Sequence, residues 1–236
     1  MPLCKIADRI IQLNCRYGYT PRICADYAIE DGEPELVLSA SEDEIAALRS
    51  RSEHKLPDGY FESLVLYRKL CADMPLCDGF LMHGSAVEFD RRAYLFTAKS
   101  GVGKTTHTML WKQEFGDAVS IINGDKPILR RVGEDFNVYG TPWSGKEHYN
   151  TNMSAPLSAI CVIERGERNE CVELSEREAV KAVMGQVMMH SDKTLALRQL
   201  RLIDMLIKQV PVYKMYCLPN AEAAHVAFDA MIKSKQ

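Results

Sequence analysis

Through the first forty residues, apolar positions fall in short strand-like stretches at 5–15, 23–29 and 35–39, punctuated by Gly18, Pro21, Gly32 and Pro34. The pattern then turns helical. Ser41 with Glu44 three residues on forms a capping box, in which the hydroxyl takes the Glu44 amide and the carboxylate reaches back. A short helix is predicted through Ile45, Ala47 and Leu48. After Pro57-Asp58, the helical spacing of Phe61, Leu64, Val65, Tyr67, Arg68 and Leu70 predicts a longer one.

Residues 80–89 predict a strand carrying His83-Gly84, residues 90–92 a polar turn, and Ala93-Tyr94-Leu95-Phe96-Thr97 a strand buried on both faces. A glycine-rich loop comes next. A helix is predicted from 104 to about 114, stopped at Gly116, and then an apolar strand over 118–122 that runs into Asn123-Gly124-Asp125. Further strands are predicted at 136–139, 159–163 and 212–217. Ser175 and Glu178 make a second capping box, opening a helix through about Met189, and two more helices are predicted at 193–209 and 221–233, the last capped by Asn220. The expected fold class is α/β, with the core over 78–236 and a mixed β/α segment, 1–77, packed on it.

Composition changes this picture little. Hydrophobic residues make up 47% of the 236, enough for a sizeable core, and the formal charge of -3 with pI near 6.1 gives no reason to expect nucleic acid as a partner. Eight cysteines would suit a secreted chain. They form no CxxC pair, however, and sit mostly in apolar stretches, so buried reduced thiols and a cytoplasmic location are expected. Charges break the N-terminal apolar run, and no segment approaches the ~20 apolar residues of a membrane span, so no membrane association is expected.

The chemistry concentrates in Ala98-Lys99-Ser100-Gly101-Val102-Gly103-Lys104-Thr105, which fits the Walker A pattern with Ala98 as its first small residue. Gly101 and Gly103 allow the backbone to turn its N–H groups onto phosphate oxygens; Ser100, Val102 and Thr106 share that cradle. Lys104 supplies charge for the β and γ phosphates, the Thr105 hydroxyl is placed for Mg²⁺, and the helix N-terminus adds its partial positive charge. A strand before the loop and a helix after it are the context this mechanism requires. Only about 20 residues further on, Asp125 ends the next strand. There it is either the carboxylate that reaches the same metal or an ordinary turn residue.

These stretches resemble the superfamily of HPr kinase/phosphorylase and ATP-type phosphoenolpyruvate carboxykinase, and more closely the small bacterial HPr kinase-like proteins. The resemblance rests on the ordered set His83-Gly84-Ser85-Ala86-Val87, Tyr94 through Thr108, Ile122-Asn123-Gly124-Asp125-Lys126-Pro127, and Tyr139-Gly140-Thr141-Pro142-Trp143-Ser144-Gly145-Lys146. It spans about 80–146, a little over a quarter of the chain. It implies a P-loop-containing mixed-sheet core with flanking helices, and ATP with Mg²⁺ or Mn²⁺ as cofactors. It further implies His83 on the strand beside the P-loop strand, near the γ-phosphate or metal, and loop 140–146 as a substrate gate. In that gate Lys146 would neutralise the transferring group, and Trp143 would offer either a stacking surface or core packing.

One departure stands out. Relatives carry two adjacent acids where this chain has Gly124-Asp125. The resemblance therefore implies a phosphotransferase moving the γ-phosphoryl group to a hydroxyl, such as a Ser of a peptide or small protein, with Asp125, His83, Lys104 and Lys146 as catalytic residues. The alternative is a nucleotide-binding regulatory or scaffold protein impaired at Gly124. Carboxykinase chemistry ranks below both, because the substrate-binding residues of that much longer enzyme have no place here. The C-terminal helices could also serve contacts within a homo-oligomer.

Overall fold

The computed structural model describes residues 2–99 and 101–232, and the chain divides into two compact units after Met74. The first unit holds β1 (Leu3–Ile6), β2 (Arg9–Asn14), α1 (Tyr19–Ile23), β3 (Ala28–Ile29), β4 (Leu36–Ser39), α2 (Glu42–Ser50) and α3 (Asp58–Asp73). Its four strands lie in the order β3-β1-β2-β4, with β2 and β4 parallel. The apolar stretch 5–15 is a hairpin rather than one strand: Ala7 and Asp8 turn with φ of 51° and 59°, without the glycine that usually marks such a turn. Residues 23–29 are likewise mostly helical, with only Ala28–Ile29 paired as strand. Ser41 and Glu44 do form the capping box at the start of α2. Glu62 on α3 is fully buried, and its carboxylate accepts the backbone amides of Arg16 (2.7 Å) and Tyr17 (3.2 Å), which would otherwise be orphaned.

The second unit is a mixed α/β structure. It contains β5 (Gly79–Leu81), β6 (Ser85–Phe89), β7 (Arg92–Thr97), α4 (Lys104–Phe115), β8 (Val119–Asn123), β9 (Ile128–Val132), β10 (Asp135–Tyr139), β11 (Ser154–Arg165), β12 (Glu170–Glu173), α5 (Glu176–Met184), α6 (Lys193–Gln209), β13 (Val212–Cys217) and α7 (Ala221–Met231). The strands form one sheet in the order β5-β9-β10-β11-β7-β6-β8, and β13 adds to β11 with β12 outside it. The three strands β7, β11 and β13 run parallel, whereas β6 is antiparallel to both β7 and β8.

Alternation along the central strands explains why helices cover both faces. Leu95 of β7 and Ile160 of β11 join a core with Val183, Leu202 and Leu206 of α5 and α6. Their neighbours Phe96 and Cys161 point the other way, into a core with Trp111 of α4 and Ala224 of α7.

The structure corrects several expectations. Residues 80–89 split into β5 and β6, and His83 lies in the break between them rather than on a strand. The helix opened by the Ser175 capping box ends at Met184, because Gly185 closes it and Val187 then bridges to Met82. The sequence pattern predicts no strand at β9 or β12. Both carry adjacent charged or exposed residues that obscure a period of two. Lys233, the expected end of the last helix, lies outside the described residues. None of the eight cysteines is bridged, and no helix among the described residues is long and apolar enough to cross a membrane.

One buried group on α4 has a pH consequence. His107 is almost wholly buried edge-on to Phe96 at 4.8 Å, neither ring nitrogen has a hydrogen-bond partner, and burial pushes its pKa down to about 4. Between about 4 and its ordinary 6.5 the unfolded chain therefore holds a proton that the folded chain refuses. Stability is unaffected above pH 7 and falls as the pH drops from 6.5 through 4, by roughly 3 kcal/mol in all. Denaturant melts at pH 7 and pH 4.5 measure this, and a His107→Phe variant should lose most of the difference between them.

Candidate functional site

Strand polarity gathers the sequence-derived candidates at one edge of the sheet. Strands β7, β8, β11 and β13 end there, and β6, running against β7 and β8, begins there. Open α/β sheets bind ligands outside the carboxyl ends of such strands.

The loop after β7 leads straight into α4. Gly101 has φ 76° and Gly103 φ 128°, conformations that L side chains rarely adopt. Gly103 is also the N-cap of α4 and, having no side chain, supplies no capping oxygen to the first-turn amides. On the far side of the loop, Arg165 at the end of β11 donates from Nη2 to the Gly101 carbonyl (3.0 Å). Val102, Thr105 and Thr106 follow this path, Thr106 exposed and the other two half-buried. Ser100 lies outside the described residues.

Asp125 is the hub of the site. Its Oδ1 accepts from Lys104 Nζ (2.7 Å) and lies 3.2 Å from His83 Nε2, while Lys126 Nζ stands 3.5 Å from Oδ2. Lys104 Nζ and His83 Nε2 are themselves 3.4 Å apart. Burial alone would raise the Asp125 carboxyl. Hydrogen bonds from His83 and Lys104, with the charges of Lys104 and Lys126, instead hold it well below the usual carboxylate range. At neutral pH it is an anion, already paired.

Local hydrogen bonds fix each member of this cluster. Asn123, fully buried, accepts the amides of Asp125 (2.9 Å) and Lys126 (2.7 Å) on Oδ1, which folds the chain back sharply after β8. Its amide nitrogen donates to Thr141 O (3.0 Å) and Oγ1 (3.1 Å). His83 is held at both ends of its ring, with Nδ1 3.2 Å from Gln186 Oε1, and its backbone N–H donates to Gln186 O (2.8 Å). The break between β5 and β6 is what frees His83 for this contact. Gln186 carries no signal in the sequence, because the predicted helix runs on through Gly185.

The loop after β10 is mostly packed inside. Thr141, Trp143 and Ser144 are buried, and only Lys146 among the anticipated residues of this loop is exposed to solvent. Trp143 is therefore core. Gly145, with φ 87°, presses on Asp125: a Cβ there would lie 3.1 Å from Asp125 Cβ. Gly124 is covered as well. Its N–H donates to Tyr149 O (2.7 Å), and a Cβ would meet Ser144 O at 3.0 Å and Tyr149 O at 3.3 Å. A second acid at position 124 thus requires the 144–149 backbone to move, so the glycine is built into the loop packing.

Two cavities open beside the glycine loop. One, of about 400 Å³, runs along α4 from Gly101 to Leu110 and reaches Leu218 and Pro219. The other, of about 930 Å³, passes Lys99, Lys181 and Lys214 and extends to Gln186.

A divalent cation is tested by its donors. The Asp125 carboxylate and the Thr105 hydroxyl are hard oxygen ligands of the kind Mg²⁺ takes, and that ion commonly uses one or two carboxylates and completes its shell with phosphate and water. No cluster of three or more His, Cys, Asp or Glu side chains occurs among the described residues, so a dedicated all-protein cage is not present there. The residues fit a cation shared with a phosphate ligand.

No family model matches the chain, and no curated protein matches it in sequence. Among solved structures it is similar to the HPr(Ser) kinase/phosphatase from Coxiella burnetii, at 9% identity and a TM-score of 0.39, over 66% of this chain and 99% of that one. A likeness at that level assigns neither a site nor a reaction to this chain.

Proposed function

We propose that the protein is an ATP-dependent phosphotransferase of the HPr kinase-like kind, moving the γ-phosphoryl group to a hydroxyl acceptor such as a Ser of a peptide or small protein. The observation that carries this reading is the convergence of Lys104, Asp125 and His83 beside a helix N-terminus approached by a positive-φ glycine loop. Metal-bound ATP supplies the phosphoryl group and part of the charge neutralisation that its transfer needs. Lys104 holds the β/γ oxygens, with Ser100, Gly101, Val102, Gly103, Thr105 and Thr106 around the phosphates. Thr105 and Asp125 provide the oxygens for Mg²⁺ or Mn²⁺. His83, fixed by Gln186, presents Nε2 3.2 Å from the Asp125 carboxylate, which makes it the group placed to manage the acceptor's proton. Exposed Lys146 would act only on an acceptor or phosphate brought to it. The larger cavity, which shares Gln186 with His83, is the side from which an acceptor would approach.

Phosphoryl transfer depends mainly on positioning and electrostatics, so a single carboxylate is compatible with turnover. The covered Gly124 favours a second reading, a nucleotide-binding regulatory protein without transfer. Incubation with γ-labelled ATP, Mg²⁺ and candidate peptides separates the two: label on an acceptor supports the kinase, and binding without label supports the regulator. Asp125→Asn should lower transfer about 10³-fold and abolish the gain in ATP affinity that Mg²⁺ brings, while metal-free ATP still binds. Metal-dependent transfer surviving in that variant would rule out the assigned role of Asp125.

A further inference from the structure

We propose that the larger cavity receives an acceptor of one chemical class, an acidic peptide whose carboxylates flank the hydroxyl that takes the phosphoryl group. The inference rests on the phosphotransferase reading above and adds to it the charge that the acceptor must carry. The cavity lies wholly within the second unit, and its lining joins the two sides of the reaction. Gly101 and Val102 belong to the phosphate loop, and Gln186 is the residue that holds the His83 ring, with Oε1 3.2 Å from Nδ1. A hydroxyl presented past Gln186 meets the cluster of Lys104, Asp125 and His83. There its oxygen bonds to the γ phosphorus as the bond to the β–γ bridging oxygen breaks. The bridging oxygen keeps that electron pair and leaves on ADP, and the hydroxyl proton passes to the His83–Asp125 pair.

The charges around this opening are unequal. Lys99, Arg165, Lys181 and Lys214 line it against two carboxylates, Glu164 and Glu178. Both carboxylates are already engaged within the chain. Glu164 pairs with Lys214 at 3.2 Å, and Glu178 closes the capping box of α5 by accepting the Ser175 amide at 3.1 Å. Lys99 and Lys181 are exposed, and among the described residues neither side chain has an ion pair or hydrogen bond. This local excess of cations stands on a chain of formal charge -3, so it is not the general field of the surface. Cations gathered in a cleft concentrate an anionic ligand and discriminate against a cationic one. The volume of about 930 Å³ is at the upper end of the ~300–1000 Å³ usual for ligand pockets. Its two unpaired lysines also stand on separate elements, the loop after β7 and helix α5. That arrangement suits carboxylates spaced along a peptide better than a single small hydroxy acid. A neutral nucleobase would desolvate the same charges without pairing them.

The test uses the full chain, γ-labelled ATP with Mg²⁺, and three synthetic peptides of one length, each with a central Ser flanked on both sides by Asp, Asn or Lys. Wild type should label the Asp peptide with a kcat/KM about tenfold above that of the Asn peptide, and the Lys peptide least. Lys181→Glu should bring the Asp and Asn peptides to within about twofold of each other, chiefly through the KM for peptide. Its ATP affinity should stay within about twofold of wild type, which shows that the variant is folded. Lys181→Arg, which keeps the charge, should keep the preference. Equal labelling of the three peptides by wild type, or an acidic preference untouched by Lys181→Glu, would overturn the acidic acceptor and leave phosphoryl transfer standing. If ATP binds and no peptide is labelled, the transfer reading falls, and fluorescence anisotropy with the same peptides decides the cavity. Selective binding of the Asp peptide, lost in Lys181→Glu, would support an acidic ligand there; binding without selectivity, or none, would rule it out.

Discussion

Replacing Lys104 by Met should weaken binding of Mg²⁺-ATP about 100-fold and reduce phosphoryl transfer about 10³-fold or more. The argument starts from burial. The Lys104 side chain is only 10% exposed, and its ammonium sits 2.7 Å from an anionic carboxylate, so it is a desolvated point charge rather than a mobile surface lysine. Charges in such surroundings act on a phosphate far more strongly than in water, and truncating one partner of a buried charged contact typically costs ~2–5 kcal/mol. Methionine keeps the length of the stem, so the α4–β8 packing should survive. Asp125 would still face His83 and Lys126, and its carboxyl would move back up toward the ordinary range. Fluorescent-nucleotide titration and a labelled-transfer assay measure the two effects. A Lys104→Met protein that binds Mg²⁺-ATP within threefold of wild type would show that the loop does not hold phosphate.

The second large effect is structural. Gly140→Ala should destabilise the protein by more than about 3 kcal/mol or prevent its accumulation as folded chain. A Cβ at this position would lie 2.0 Å from Thr151 O and 2.7 Å from Ile122 O, and both are backbone atoms with no rotamer to yield. The three segments are also hydrogen-bonded together, Gly140 N to Met153 O at 3.0 Å and Thr151 N to Ile122 O at 3.1 Å. Relief would require prying the 140–153 loop off β8, the strand that delivers Asp125. Gly133 is the matched control. There a Cβ meets nothing within 4 Å, and only its left-handed φ of 63° is strained, about 1–2 kcal/mol. Thermal melts of the two alanine variants should therefore differ by several degrees, and a Gly140→Ala melting temperature within 2 or 3 degrees of wild type, an allowance of about 1 kcal/mol, would contradict the close packing.

How much of this was legible in the sequence varied with the kind of signal. Helices α2, α4, α6 and α7 declared themselves through caps and period, and β7 through an uninterrupted apolar run, because those signals are local. The hairpin at Ala7-Asp8 carries its turn on residues that rarely adopt positive φ, so nothing marked it. The break at Met82–Gly84 is hidden for another reason: it lies inside a mostly apolar run, and it is held by pairing of His83 and Met82 with the segment 186–187, a hundred residues away. In the site, the glycine-rich loop and the strand end after it pointed to Lys104 and Asp125, the resemblance pointed to His83, and the fold brings all three together. Lys146 owed its role to the resemblance alone, and among the described residues no hydrogen bond or ion pair ties it to that cluster. Gln186 carries no chemical signature of its own; only the tertiary fold reveals that it holds the imidazole.

The Lys104–Asp125 contact has a further consequence for the order in which ligands bind. In the free protein the lysine that is to hold phosphate is occupied by an oxygen anion belonging to the chain itself. On the proposed reading, a nucleotide arriving alone must displace that internal counter-ion and leave a second anion facing its own phosphates. A cation arriving with the nucleotide removes the conflict, because it gives the displaced carboxylate a new partner. Metal and nucleotide should then bind as one cooperative event, each strengthening the other by the same factor, as thermodynamic reciprocity demands. The pairing would serve as a latch that neither ligand opens well by itself.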